Sequence, residues 1–350
     1  MAARRLLLVR SQLRLSGTTE RLRTSVRALT EDGWEVHVLA GPGVRSREVE
    51  EAGATLHAEQ VARRGWSAPF VRGRARHLFD RLDATLALVV GQDLAPLAAH
   101  LRRPHVLEID RPPRARLPWS RAHLRGVIAP CATLIEAIVN RGGLPREQLT
   151  ILAHAPAGDP EARPAFTADG PPRIGVAGGL EAGLGAGALL EAGRTLLDAG
   201  HELELVILGE GPAEATVRRH ARDLGIQEHV TVTAPAAPST AALLAQLDVY
   251  ICPQPEGTPG WLTAEALALG RPALLSANQG SFQWVEDGVD GCLVDRADPS
   301  GLAKGLRALL DDPAAARSMG ERARARWSAP EPYAQRLREI VEQAVALESP

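Results

Sequence analysis

The chain has 350 residues, enough for two packed domains each with its own buried core, so a single small binding module is excluded. Hydrophobic residues at 45% and charged residues at 23% exclude collagen-like and wholly disordered chains, and aromatics at 3% are too few for the stacking platform of a single-strand nucleic-acid binder. The formal charge of −2 conceals an asymmetry: residues 1–165 hold 25 arginines against 17 acids, whereas residues 166–350 hold 15 basic against 25 acidic residues.

Lys304 is the one lysine among 40 basic residues, which excludes a P-loop and its phosphate-binding lysine. Cys131, Cys252 and Cys292 stand far apart, with no C-x-x-C spacing and no adjacent histidines, so neither a zinc site nor a disulfide framework is expected and a reducing cytoplasm fits. The opening MAARRLLLVRSQLRLSG has an apolar core of only Leu6 to Val9, which reads as a first buried strand rather than a targeting segment. No run approaches the length of a spanning helix, so a soluble or peripheral protein is expected.

In chain order, short apolar runs predict strands over 6–9, 35–40, 85–90, 105–109, 126–129 and 150–152, with amphipathic helices between them. The stretch TTERLRTSVRALTEDG places Leu22, Val26 and Leu29 on one helical face, with Thr18 or Thr19 as N-cap and Gly33 as the stop. From His154 to Pro172 the chain is rich in Pro, Gly and Ala without periodicity and reads as an interdomain linker. Strands over 173–178, 204–209, 230–233, 248–252, 272–276 and 292–294 then repeat the scheme. The expectation is two doubly wound parallel-sheet α/β domains, residues 1–160 and 161–330, whose strand C-terminal ends face one cleft.

The strand IGVAG runs into GLEAGLGAGALLEAG, with glycines at 178, 179, 183, 185 and 187 ahead of a helix. Such a turn lets backbone N–H groups approach an anion at a helix N-terminus. A Gly/Ala surface loop is the plainer alternative, and the match to a loose dinucleotide pattern is a weaker one, because the glycines do not sit at the first turn after the strand. After it come ELVILGEGP, then PEGTPGWLTAEALALGRPALLS, then EDGVDGCLV and a terminal helix.

In that order these segments, over roughly residues 173–330, resemble the C-terminal domain of retaining GT-B glycosyltransferases of the family 4 type. The first half resembles that family in outline, through LLLV, the Ser16-Gly17-Thr18 turn and DGWEVHVLAG. The resemblance implies two Rossmann-like domains, with residues 331–350 as a helix returning to the first. It implies transfer of a sugar from a nucleotide diphosphate sugar to an acceptor that is a glycan, a lipid-linked molecule or a small molecule, with no metal and no further cofactor. On that pattern Glu265 holds the ribose hydroxyls, because an ionised carboxylate accepts two hydrogen bonds. The amides of Gly260, Trp261 and Leu262 hold the diphosphate, and Glu256 orients the donor sugar. Gly178, Gly179, Gly185, Gly209, Gly257 and Thr258 complete the donor side, and Ser16, Gly17 and Thr18 lie on the acceptor side. Asp110 stands where the family often carries a histidine, and contacts the sugar or an acceptor hydroxyl or else only shapes a turn.

The sequence also departs from the family. Gly179 and Leu184 replace the Arg and Lys that usually neutralise the leaving diphosphate, and Glu256 lies one position early. Each such charge donor is commonly worth about 3–4 kcal/mol in the transition state. Arg10, Arg14 and Arg111, near predicted strand ends, are the candidate replacements. A homologue that binds without catalysing, as a scaffolding subunit, is the second reading. Base contacts are expected near Ala234-Pro235-Ala236. His100, His105 and His154 read as structural. The arginine-rich stretches 62–79 and 111–125, with Trp66, Phe70 and Trp119, suit an anionic membrane surface or simply a solvated face; nucleic acid is not expected.

Overall fold

The computed structural model describes residues 4–347 apart from 15, 42, 44, 62–67, 157, 158, 160, 168, 181–184, 234–239, 254–258, 279, 296–299 and 328–332, and of residues 68–72 the backbone only. The chain forms two compact units. One comprises Met1–Arg14, Thr18–His154 and Glu331–Pro350, the other Leu15–Gly17 and Ala155–Pro330.

In the first unit β1 (Arg5–Gln12), α1 (Gly17–Glu31), β2 (Glu35–Gly41), α2 (Ser46–Glu51), β3 (Thr55–Ala58), α3 (Ala68–Arg81), β4 (Leu86–Val90), α4 (Ala95–Leu101), β5 (His105–Glu108), β6 (Leu124–Ala129), α5 (Ala132–Ala137) and β7 (Leu149–Ile151) follow one another. The seven strands form a sheet in the order β3-β2-β1-β4-β5-β6-β7, parallel throughout. Leu8 on β1 lies opposite Val38 on β2 and Leu88 on β4. Helices cover both faces, so the central strands are apolar on both sides, which explains why LLLV and LALVV read as continuous apolar runs. Leu7, Val9, Leu107 and Val127 pack with Leu134 and Ile138, and each such side chain contributes roughly 2 kcal/mol of burial. The sequence reading missed β3, because TLHA is a short half-buried edge strand with no apolar run.

Helix α1 starts at Gly17, so Thr18 lies inside the helix rather than capping it. Its end matches expectation: Gly33 takes φ 85, a left-handed conformation that suits glycine, and Trp34 N–H bonds to Leu29 O at 3.0 Å.

The second unit contains β8 (Arg173–Ala177), α6 (Ala186–Asp198), β9 (Glu204–Leu208), α7 (Glu214–Asp223), β10 (Val230–Thr233), α8 (Thr240–Leu244), β11 (Val249–Cys252), α9 (Trp261–Ala268), β12 (Ala273–Ser276), β13 (Cys292–Val294), α10 (Gly301–Asp311) and α11 (Pro313–Trp327). Its six strands run β10-β9-β8-β11-β12-β13, again parallel. The stretch read as a linker is anchored here. Asp248, buried before β11, accepts from Arg163 Nη1 (2.9 Å), Phe166 N–H (2.7 Å) and Arg173 N–H (2.9 Å). The last helix of the chain, α12 (Tyr333–Ala346), belongs to the first unit: Tyr333, Leu337, Ile340 and Val341 are buried, and Arg338 Nε donates to Ala28 O of α1 at 2.9 Å.

In each sheet the strand order reverses beside the first strand, between β1 and β4 and between β8 and β11. Ligands of doubly wound sheets bind outside the strand C-termini at that point.

Candidate active site

In the second unit three strand ends converge at the reversal. Gly178 N–H bonds to Leu208 O (2.9 Å) and Leu180 N–H to Glu210 O (2.8 Å), tying the loop after β8 to the loop after β9. A Cβ on Gly209 would lie 2.1 Å from Gly178 O, and one on Gly211, whose φ is 154, would lie 2.5 Å from Leu180 O. Only glycine permits the two backbones this approach. Gly185 takes φ 80 as the N-cap of α6, and a Cβ there would lie 2.3 Å from Pro253 Cγ, which sets the start of α6 beside the end of β11. Gly179 is partly buried in the same turn.

Gly260 is the N-cap of α9 in extended backbone, with no side-chain cap and nothing within 4 Å of where a Cβ would stand. Beyond it α9 is buried along its whole length, Trp261, Leu262 and Glu265 included. Glu265 sits in the second turn, so it is not the first-turn surface acid that such a position often carries. A carboxylate in an apolar helix is costly to bury unless polar groups meet it. Next to it Tyr250 Oη and Thr263 Oγ1 are 3.3 Å apart. Burial raises the phenol well above its ordinary range, and Cys252 and Glu265 add to that. Glu256, Gly257, Thr258, Leu184 and the candidate base-contacting residues 234–236 lie outside the described residues.

The strand ends of the first unit carry a buried charged cluster. Thr18 Oγ1 donates to Asp110 Oδ2 at 3.0 Å, which joins two sequence candidates, and Ser16 and Gly17 directly precede that threonine. Burial disfavours the Asp110 carboxylate, yet Arg10, Arg21, Arg111 and the Thr18 hydroxyl together hold its pKa below the usual value. Arg10, near the end of β1, donates to Val90 O at 3.3 Å; burial lowers its pKa, while Asp110 and Asp93 favour its charge. Arg111 is mostly exposed, with Nε 3.6 Å from Asp110 Oδ1.

Beside Asp110, Arg21 of α1 and Glu108 of β5 form an ion pair with both side chains buried. Burial opposes the Arg21 charge, and Glu108, Tyr333 and Asp110 more than offset it, so its pKa is raised. Arg21 Nη1 lies 3.5 Å from His154 Nε2; burial first, then Arg21, keeps that imidazole neutral, so Nε2 accepts. Ser25 Oγ donates to Arg21 O (2.9 Å) and meets Tyr333 Oη of α12 at 3.0 Å.

Arg21 and Tyr333 escaped the sequence reading, and His154, read there as a lone histidine, is part of the cluster. The available signal was a glutamate inside the apolar strand HVLEI and an arginine beside the apolar face of α1: each is costly to bury singly. Among the described residues, no group of three or more His, Cys, Asp and Glu side chains could hold a metal ion, and no helix is long and apolar enough to cross a membrane.

Two parallel-sheet α/β units of this topology are the fold of GT-B glycosyltransferases. Sucrose-phosphate synthase from Thermosynechococcus elongatus aligns over 98% of this chain and 99% of its own, with a TM-score of 0.77 and 16% identity. The Anabaena protein HepE, solved in complex with UDP-glucose, aligns over 98% and 100%, with a TM-score of 0.76 and 15% identity. Residues 159–326, within the second unit, match the family described as Glycosyl transferases group 1. A GDP-mannose-dependent alpha-(1-6)-phosphatidylinositol dimannoside mannosyltransferase of Mycobacterium tuberculosis is 33% identical over 124 residues, 35% of this chain and 32% of the relative. D-inositol 3-phosphate glycosyltransferase 1 of Catenulispora acidiphila is 39% identical over 95 residues, 27% and 23% of the two chains. The matched segments thus span about a third or less of these curated relatives.

Proposed function

We propose that the protein is a glycosyltransferase that moves a sugar, a hexose by analogy with the relatives, from a nucleotide diphosphate sugar to an acceptor hydroxyl with retained configuration and with neither metal nor further cofactor. The observation that carries the reading is Glu265, buried in α9 behind the open N-cap at Gly260, within a Glycosyl transferases group 1 domain. In this reading Glu265 accepts from the ribose hydroxyls, and the N-terminal amides of α9, with the positive end of its dipole, meet the diphosphate. The glycine turns at 178–179 and 209–211 admit the ligand without side-chain obstruction. Asp110, ionised and held by Thr18, accepts from a sugar or acceptor hydroxyl, and Arg10 supplies positive charge beside it. The basic first half makes peripheral contact with an anionic membrane at its cytoplasmic face.

Calorimetric titration with UDP, GDP, ADP and their sugar conjugates, with NAD as control, tests the donor site. Saturable binding of one nucleotide is expected, followed by hydrolysis or transfer of the matching sugar. Binding of none rejects the reading; binding without turnover by any acceptor makes the protein a binding subunit.

A further inference from the structure

The N-terminal strand ends of the first unit, at the pole opposite Arg10 and Asp110, gather arginines. Arg102 caps α4 in a left-handed conformation and Arg103 follows it, while Arg121 and His123 occupy the turn that enters β6 and Arg125 is the second residue of that strand. Arg76 comes from α3. Arg125, Arg103, Arg102 and Arg76 all act on His123, and with burial they disfavour its charged form, which marks how closely these cations are gathered. Asp80 takes Arg103 in a two-point pair at 2.7 and 2.9 Å.

The same strand ends adjoin a cavity of about 400 Å³ between the β6–β7 edge and the last turns of α12. Val106, Ile128, Ile340 and Ala344 give it an aliphatic wall, and Leu347, 55% exposed, continues that wall outward. Arg125 belongs to both the cavity lining and the arginine cluster. The space exists because β6 carries glycine at 126: a Cβ there would meet, among the described residues, only Gln148 O at 3.8 Å. Gln148 and Glu147 also belong to the lining, and Gln148 Oε1 itself is buried.

We propose that this pole is a docking surface for a bilayer rich in anionic phospholipid. The arginines meet the phosphates, Leu347 enters the acyl boundary, and the cavity beside it takes an aliphatic part of the lipid. The arginines outweigh Glu147, which also lines the cavity, and select an anionic partner, and the aliphatic side of the cavity with the exposed Leu347 favours a lipid over a purely polar polyanion. This inference rests on the reading of peripheral membrane contact, and it goes further by placing that contact at the pole away from the candidate site. It does not depend on sugar transfer.

The test is co-sedimentation of the full chain, without nucleotide, with vesicles of phosphatidylcholine alone and of phosphatidylcholine with an equal part of phosphatidylglycerol. Binding is expected only to the latter, weakening as salt rises. Arg102→Glu and Arg121→Glu should each lower it about fivefold or more, the equivalent of about 1 kcal/mol per arginine. Gly126→Leu, which fills the cavity, should lower it severalfold at unchanged melting temperature; if that variant fails to fold, Leu347→Glu serves in its place. Equal binding to both vesicles, or indifference to charge reversal, overturns the proposal. So does binding of inorganic polyphosphate or RNA as tight as that of the vesicles and insensitive to the cavity variant. Because nucleotide titration is a separate readout, failure here leaves the donor-site reading standing.

Discussion

Arg21 and Glu108 pair inside the first unit with both side chains buried, and their pair lies beside the Asp110 carboxylate held by Thr18. Removing one member strands a charge in the interior. Arg21→Met should therefore cost about 3–5 kcal/mol in urea unfolding, whereas the double variant Arg21→Met with Glu108→Leu should recover most of that loss. If the single variant is no less stable than the double, the pair is not the buried ionic contact described here.

Glu265→Ala should weaken nucleotide binding by roughly tenfold to a hundredfold, the range of one or two hydrogen bonds to an ionised acceptor. Calorimetry with the nucleotide that binds the parent protein measures it, and unchanged affinity rejects the ribose role.

Gly209→Ala places a methyl 2.1 Å from Gly178 O, so the loops after β8 and β9 must move apart. Overpacking of this kind costs about 1–3 kcal/mol, and the shifted turn should also lose nucleotide affinity. Gly260→Ala is the contrast, since its Cβ meets nothing within 4 Å and its φ is −99. Its melting temperature should stay within a degree or two of the parent, about 0.5 kcal/mol. Equal losses from the two substitutions would contradict the close approach at Gly209.

Acid should destabilise the first unit through its histidines. His105 is buried, donates from Nδ1 to Arg103 O at 2.9 Å, and is pushed down to about 4 by burial. A histidine depressed in the fold contributes stability above its unfolded pKa near 6.5 and loses it as pH falls towards its folded value. Its share is on the order of 3 kcal/mol, lost between about pH 6.5 and 4. His154 acts in the same direction. Unfolding free energy measured across that window should fall for the parent and fall less for His105→Gln; a parallel decline would remove His105 as the cause.

The strands on both sides of the chain, the end of α1 at Gly33 and the glycine turns were legible in the sequence, because each rests on local chemistry. Apolar runs mark strands buried on both faces, and glycines mark positive φ or backbone approach. The strand β3 was not legible, since an edge strand needs no apolar run. The anchoring of residues 163–173 was not legible either, because it depends on Asp248 some eighty residues away.

By itself, then, the sequence determined the alternating strand–helix scheme and the glycines of the turns after β8 and β9. Only the tertiary structure decided that Thr18 reaches Asp110, that Arg21 answers Glu108 with His154 beside it, and that Tyr333 returns to Ser25 from the far end of the chain. Those contacts join residues 87 to 308 positions apart. A buried charge is tolerated only where the fold brings its counter-charge within reach, and no local pattern in the sequence records where that partner lies.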